Sequence, residues 1–337
     1  MVTEQVLRAG RRGIRYRPFC QALGVRHRGY SKGLQRALTD FGAEEAFDRA
    51  ALRIQEHYGI RVCSTAIRRI TLRHGRAIVR TSEQVQWPGA GAIVTQMDGS
   101  LIPVVQPDSE APDARKKKKL LWREVRLCCA RPLGSVRRLY GATLGSLEST
   151  SWMWQETVRR AGLTPKTDVH GVGDGAPWIL EKFNENFEQQ GKFLLDFYHL
   201  SQYLAKAAVT IAGERKSKSW LRRQQGRLLN NQASKVLKAM EKRLEPLGTV
   251  LELAPVRNAH RYMQERREYL DFERAQRRGY PIGSGEIEGG HRYVIQKRLK
   301  LPGSWWKETN AEVMLNLRTA RANDCWSDYW NQKLTLS

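Results

Sequence analysis

Cysteine is scarce in this chain. Five occur in 337 residues: Cys20, Cys63, Cys128, Cys129 and Cys325. No two form a C-x-x-C pair, zinc-ribbon spacing is absent, and an odd, scattered set argues against a disulfide framework. Reduced, mostly buried thiols are expected. Long apolar runs are missing too, and a bilayer span takes about 20 such residues. The start, MVTEQVLRAGRRGIRYR, has no apolar signal-peptide core. A soluble, intracellular protein with no membrane partner is the expectation. Acid is the third shortage. Asp and Glu number 34 against 58 Lys and Arg, a formal net charge of +24. That excess points to a polyanionic partner, most often nucleic acid. It names the partner class and nothing about sequence preference. At 41% apolar and 9% aromatic residues the chain can bury a real core, and its length suggests about two domains.

Residues 1–40 are basic and weakly patterned. In AEEAFDRAALRIQEHYG, Phe47, Ala50, Ile54 and Tyr58 recur at helical spacing. Gly59 suits a C-terminal cap, and Ser64 suits the N-cap of a second helix, TAIRRITLRHG. That helix turns Ala66, Ile67 and Ile70 inward and leaves Arg68, Arg69 and Arg73 free. The pair fits a helix-turn-helix whose three arginines meet DNA, and equally a plain helical hairpin with solvated arginines. QWPGAGA reads as a boundary. Three strand-like stretches follow, AIVTQMDGSLIPVV, LWREVRLCCARP and SVRRLYGATLG, with a turn or bulge allowed at Asp98-Gly99. Then come helix, strand, helix, strand and helix, which describe a mixed α/β sheet flanked by helices. Four regions result: a basic N-terminal helical region (1–88), the first part of a core (89–200), a helical insertion (201–278) and the completion of the core (279–337). The run Lys116–Lys119 lies in a polar turn suited to phosphate contact.

Three acids stand out by position: Asp98 at the end of an apolar strand, Asp174 after the fourth strand, and Glu288 at a helix start after IGSG. Each has a plain alternative, as hairpin turn residue, helix cap and first-turn acid. The fourth strand is expected beside the first, which brings Asp98 and Asp174 together. Close carboxylates repel unless a cation lies between them. Magnesium takes such hard oxygen ligands and keeps positions open for water and phosphate.

The set MDGS, GDGAPWI, DFYH and GSGEIEGGHRYVIQKRLK resembles DDE transposases of bacterial insertion sequences. It looks closest to the ISKra type, related to the Mutator-like group. The resemblance spans roughly residues 40–330 and lies in the joint order of the motifs. It implies a ribonuclease-H-like core with a helical insertion before the last acid, and Asp98, Asp174 and Glu288 as catalytic, metal-binding triad. Two Mg²⁺ ions, with Mn²⁺ as substitute, are implied cofactors. Glu286 competes for the third place, but the family's G-S-G-x-x-E selects Glu288. Asp196 and His199 match the D-x-x-H motif near the site. In a regular helix Glu288 shares a face with His291, Arg292, Ile295, Gln296 and Leu299, which sets His291 and Arg292 ready for a phosphate. Lys297, Arg298, Lys300 and Trp306 complete the DNA-contact candidates; for Trp306 core packing is the default and base stacking the alternative. The implied activity is Mg²⁺-dependent nicking and strand transfer at terminal inverted repeats and target DNA. The implied setting is a homo-oligomer on DNA, in the bacterial cytoplasm at the nucleoid. A noncatalytic DNA-binding protein on the same core, or a metal-dependent endonuclease, are the competing readings. Paired cysteines of an N-terminal zinc module are lacking, since Cys20 has no partner nearby.

Overall fold

A computed structural model describes residues 4–10, 13–22, 29–108 and 117–335. Lys116, first of the lysine run, lies outside the described residues. Two compact units divide the chain. The first comprises Met1–Val85, Leu101–Arg123 and Arg292–Ser337; the second comprises Gln86–Ser100 and Glu124–His291.

The first unit holds, after a two-stranded hairpin and a short helix, a bundle of three helices: α1 (Lys32–Glu44), α2 (Phe47–Tyr58) and α3 (Ser64–Ala77). Helix α1 falls in a stretch whose sequence is weakly patterned. It is fixed by its Ser31 cap, which accepts from Leu34 N, and by burial of Leu38 and Ala43. Helix α2 ends as expected at Gly59, whose N–H donates to Gln55 O. The start of α3 differs: the N-cap is Cys63, with no side-chain cap bond, and Ser64 is already helical. Leu38, Ala50, Ile54, Ile67 and Ile70 make one apolar cluster.

The sheet has strands β1 (Ala92–Pro107), β2 (Lys118–Pro132), β3 (Leu139–Thr143), β4 (Asp168–Gly173) and β5 (Gly191–Leu195), in the order β3-β2-β1-β4-β5. Strands β1 and β2 form an antiparallel hairpin, bonded by Leu133 N to Ala92 O at 2.9 Å and Asp108 N to Lys117 O at 3.1 Å. Strands β2 and β3 are antiparallel. Strand β4 runs parallel to β1, from Ala92 opposite Asp168 to Thr95 opposite Gly171, and β5 runs parallel to β4. The fourth strand therefore lies beside the first, as the strand order anticipates. One expectation fails. The chain does not turn at Asp98-Gly99, because β1 continues beside β2 to Pro107.

Ile93–Met97 and Val169–Gly173 are buried without alternation, as in strands covered on both faces. Helices α4 (Leu147–Arg160) and α5 (Pro177–Phe187) provide cover. The fully buried Trp154 of α4 donates from Nε1 to Thr95 Oγ1 at 2.8 Å, and Thr95 donates onward to Cys129 O at 2.8 Å. The helical run α6 (Phe197–Leu229) is broken at Gly213 (φ 71°). Gln225 Nε2 reaches Ser201 Oγ at 3.1 Å across 24 residues. A straight helix would part them by about 36 Å, so the run folds back on itself. Its apolar side packs with α7 (Ala233–Glu241), α8 (Pro255–Glu265) and α9 (Phe272–Arg277) around Leu204, Leu228, Leu237, Met263 and Phe272. Helix α10 (Gly285–Gly290) leads into a π-helical turn, His291–Gln296; helices α11 (Glu308–Ala322) and α12 (Trp326–Thr335) close the chain. No described helix is long and apolar enough to cross a membrane. All five cysteines are free, three of them buried.

Gly171 sits where a Cβ would stand 2.4 Å from Phe183 and 2.8 Å from Phe193. Those two rings pack on each other, and Phe183 also packs on Trp154. Gly171→Ala should therefore cost about 2 kcal/mol of stability in chemical denaturation, as overpacking does. An unchanged midpoint would mean that the strand and α5 part without cost.

Candidate active site

Asp98, Asp174 and Glu288 line one recess of about 140 Å³ in the second unit, together with Asp196, His199 and Ser284. Three sequence-distant elements supply the acids: β1, the loop after β4, and α10.

The loop Asp174–Ala176 turns because Gly175 adopts φ 71°, and because a Cβ there would lie 2.7 Å from Leu195. Asp174 Oδ1 accepts from Ala176 N at 2.9 Å, making a local Asx-type turn. The N-cap of α5 is Ala176, so Asp174 is not its cap. Helix α8 holds the loop from the other side. The Tyr262 hydroxyl donates to Asp174 O, and Arg266 Nε donates to Gly175 O at 2.8 Å. Burial, reinforced by the nearby Asp174 charge, raises the Tyr262 pKa well above its ordinary value, so the hydroxyl stays a donor. Asp98 Oδ1 accepts from Gly99 N at 2.7 Å, and its Oδ2 lies 3.3 Å from His291 Nε2. His291 is buried. It faces a carboxylate of the site and is not placed to meet a phosphate.

Asp196 is a brace. Its Oδ1 caps α6 through Tyr198 N (2.6 Å) and His199 N (2.9 Å); its Oδ2 accepts from Ser284 N (2.7 Å) and from the Ser284 hydroxyl. With both oxygens engaged, this buried carboxylate has little left for a cation. Ile287 N donates to Gln96 Oε1 at 2.8 Å, which fixes α10 to β1. Glu286 is gripped by Arg131, whose Nη2 is 2.7 Å away, and by Arg138 Nε at 2.6 Å. Burial pushes its pKa up, but the two guanidiniums outweigh that and hold it below the ordinary value. Glu288, two residues on, is exposed and has no hydrogen-bond or ion-pair partner among the described residues.

The shared face expected of Glu288 to Leu299 splits. Residues His291–Gln296 form a π turn, whose wider bonding shifts the register. His291, Ile295 and Leu299 are buried; Glu288, Arg292 and Gln296 are exposed. Arg292, Lys297, Arg298, Lys300, Trp306, Arg68, Arg69 and Arg73 all belong to the first unit. Two of them contradict their assignment to DNA. Arg298 is buried between the rings of Phe47 (4.7 Å) and Trp306 (4.8 Å), donates to Gly42 O, and has its pKa pushed down to about 10 by burial and by Arg318. Trp306 is 5% exposed and donates from Nε1 to Leu299 O at 3.2 Å, so the ring is core and offers no stacking surface. Lys297 pairs with Glu44 at 2.8 Å, and Lys300 is partly buried. Arg68, Arg69 and Arg73 are exposed.

Among the described residues no three His, Cys, Asp or Glu side chains stand close enough to hold a metal ion. The donor chemistry nevertheless suits a hard divalent cation. Glu288 and Asp174 Oδ2 carry no competing bond, and Asp98 Oδ2 meets only His291. Sequence reasoning missed Gln96, Arg131, Arg138, Tyr262, Arg266 and Ser284. Only Ser284, inside the G-S-G turn, carried a local signal.

No family model matches the chain, and no curated protein sequence matches it. Among solved structures it is similar to the Drosophila P element transposase strand transfer complex, with a TM-score of 0.36 and 10% identity over 95% of this chain and 84% of that one. A likeness this slight supports none of the conclusions below.

The Glu286 clamp yields a pH signature. A carboxylate with a lowered folded-state pKa contributes stability above its ordinary value of 4.5 and loses it as pH falls through the folded value. Glu286→Gln should thus be less stable than the parent at neutral pH, with the gap closing in acid. A gap independent of pH, measured by denaturation across that range, would show that charge is not what the clamp uses.

Proposed function

We propose that the chain is a DDE-type DNA transposase of an insertion sequence, of the ISKra type related to the Mutator-like group, on a ribonuclease-H-like core. One observation carries the reading: in a chain with net charge +24, three acids from distant segments line a single recess. The partner is DNA, at terminal inverted repeats and at the target, engaged by a homo-oligomer in the bacterial cytoplasm.

Asp98, Asp174 and Glu288 would hold two Mg²⁺ ions, with Mn²⁺ as a substitute. When bound, such ions stabilise the attacking and leaving oxygens of an in-line phosphoryl displacement. The protein's own work is to fix the three carboxylates. Tyr262 and Arg266 set the Asp174 loop, Gln96 and Glu286 set α10 and with it Glu288, and β1 sets Asp98. Water first cleaves a phosphodiester and frees a 3′-hydroxyl. That hydroxyl then attacks a target phosphodiester and displaces another 3′-oxygen.

The parted carboxylates favour a second reading, a noncatalytic DNA-binding protein on the same core. A nicking and strand-transfer assay on element-end DNA with Mg²⁺ separates the two. Asp98→Asn, Asp174→Asn and Glu288→Gln should each abolish cleavage while DNA affinity is retained. Full cleavage by one variant would remove that residue from the triad. DNA binding by the parent chain with no cleavage would establish the second reading.

A further inference from the structure

The first unit contains a cavity of about 580 Å³, remote in sequence from the triad and lined by residues of α1, α3 and α12. Its cations are Lys32, Arg69, Arg73 and Lys333, and among the described residues no carboxylate lines it. Its floor is apolar and aromatic, with Ile70, Tyr329 and Trp330.

The polar groups of the lining are sorted in one direction. Gln35 is engaged at both ends: Nε2 donates to Tyr30 O at 2.6 Å, and Oε1 accepts from Arg73 and lies 3.1 Å from His74 Nε2. His74 Nδ1 lies 2.7 Å from the Tyr329 hydroxyl. Burial, with Arg73 and Lys333 nearby, pushes the His74 pKa down to about 4, so the ring is neutral and its bonds are internal. The charged groups left over are donors. Lys32, Arg69 and Lys333 have no acid partner among the described residues. Trp330, 1% exposed, has its indole Nε1–H buried with no acceptor among the described residues. The 13-residue α1 begins at the cavity with Lys32, and its amide N–H groups add positive potential there. A cationic cavity with an apolar floor suits an anion that carries apolar surface.

We propose that this cavity takes the phosphate and deoxyribose of one DNA strand. The phosphate oxygens meet Arg69, Arg73, Lys32 and Lys333, and the sugar packs toward the apolar floor. The proposal rests on the DNA-binding reading above and not on the cleavage chemistry. It changes the role of α3: Arg69 and Arg73 grip the backbone and do not read bases.

The test uses the full chain in a chelator, so that cleavage plays no part. Affinity for an element-end duplex and a shuffled duplex is measured by fluorescence anisotropy across salt concentrations. Lys333→Ala should lower the slope of log affinity against log salt by about 0.9, and Arg69→Ala/Arg73→Ala by about twice that, equally on both duplexes. Trp330→Phe shrinks the apolar floor and removes no charge. It should weaken both duplexes by about threefold with the slope unchanged. If Trp330→Phe fails a thermal unfolding check, the exposed Lys333→Ala decides. Parental slope and affinity in Lys333→Ala overturn the proposal, as does a loss confined to the element-end duplex. dAMP that binds the parent but not Trp330→Phe, with DNA binding equal in both, would assign the cavity to a free nucleotide and overturn it too. A parent chain that binds neither duplex sinks the DNA reading itself and this proposal with it.

Discussion

The Asp196 carboxylate is the joint on which the candidate site depends. It is buried at the end of β5, and a charge in that position is tolerated only when hydrogen-bonded. Four donors satisfy it: two backbone amides at the start of α6, and the amide and hydroxyl of Ser284. One side chain thereby ties the sheet, the long helical run and the approach to α10. The chain before Ser284 is fixed to the same edge, with Phe197 N bonded to Ile282 O and His170 Nε2 to Pro281 O, each at 2.9 Å. This joint acts with the Gln96 bond to Ile287 and the Glu286 clamp to set where Glu288 enters the recess.

Two glutamates two residues apart show how environment assigns roles. Glu286 points to Arg131 and Arg138 and is held in place by them. Glu288 points to none and remains available. Asp174 and Asp196 divide in a similar way. The first keeps one oxygen unengaged, while the second is wholly occupied as a brace. Between β5 and α10, Tyr262 and Arg266 hold the Asp174 loop in place.

The basic surplus is not one pool. Arg298 and Arg318 are buried, and they organise the first unit through aromatic rings and carbonyls. Arg68, Arg69 and Arg73 are exposed. Net charge predicts a polyanionic partner equally well from either group, and only the second can meet it.

Much of the fold was legible locally. Strand and helix periodicity placed the order of the core elements, Gly59 marked its helix end, and glycine-bracketed Asp174 marked a sharp loop. Those features depend on backbone preferences and on neighbours within a few residues. The sequence also singled out the acids that share the recess, through the joint spacing of short motifs. It did not reveal α1, the passage of β1 through Asp98-Gly99, the burial of His291 and Arg298, or the clamp on Glu286. Each of these is decided by a partner far along the chain: Arg131 and Glu286 are 155 residues apart, and Arg298 and Gly42 are 256 apart. Local pattern fixes which residues can turn, cap or alternate. Whether a charged or aromatic side chain meets solvent, a carboxylate or another ring is fixed only when packing brings those distant segments together.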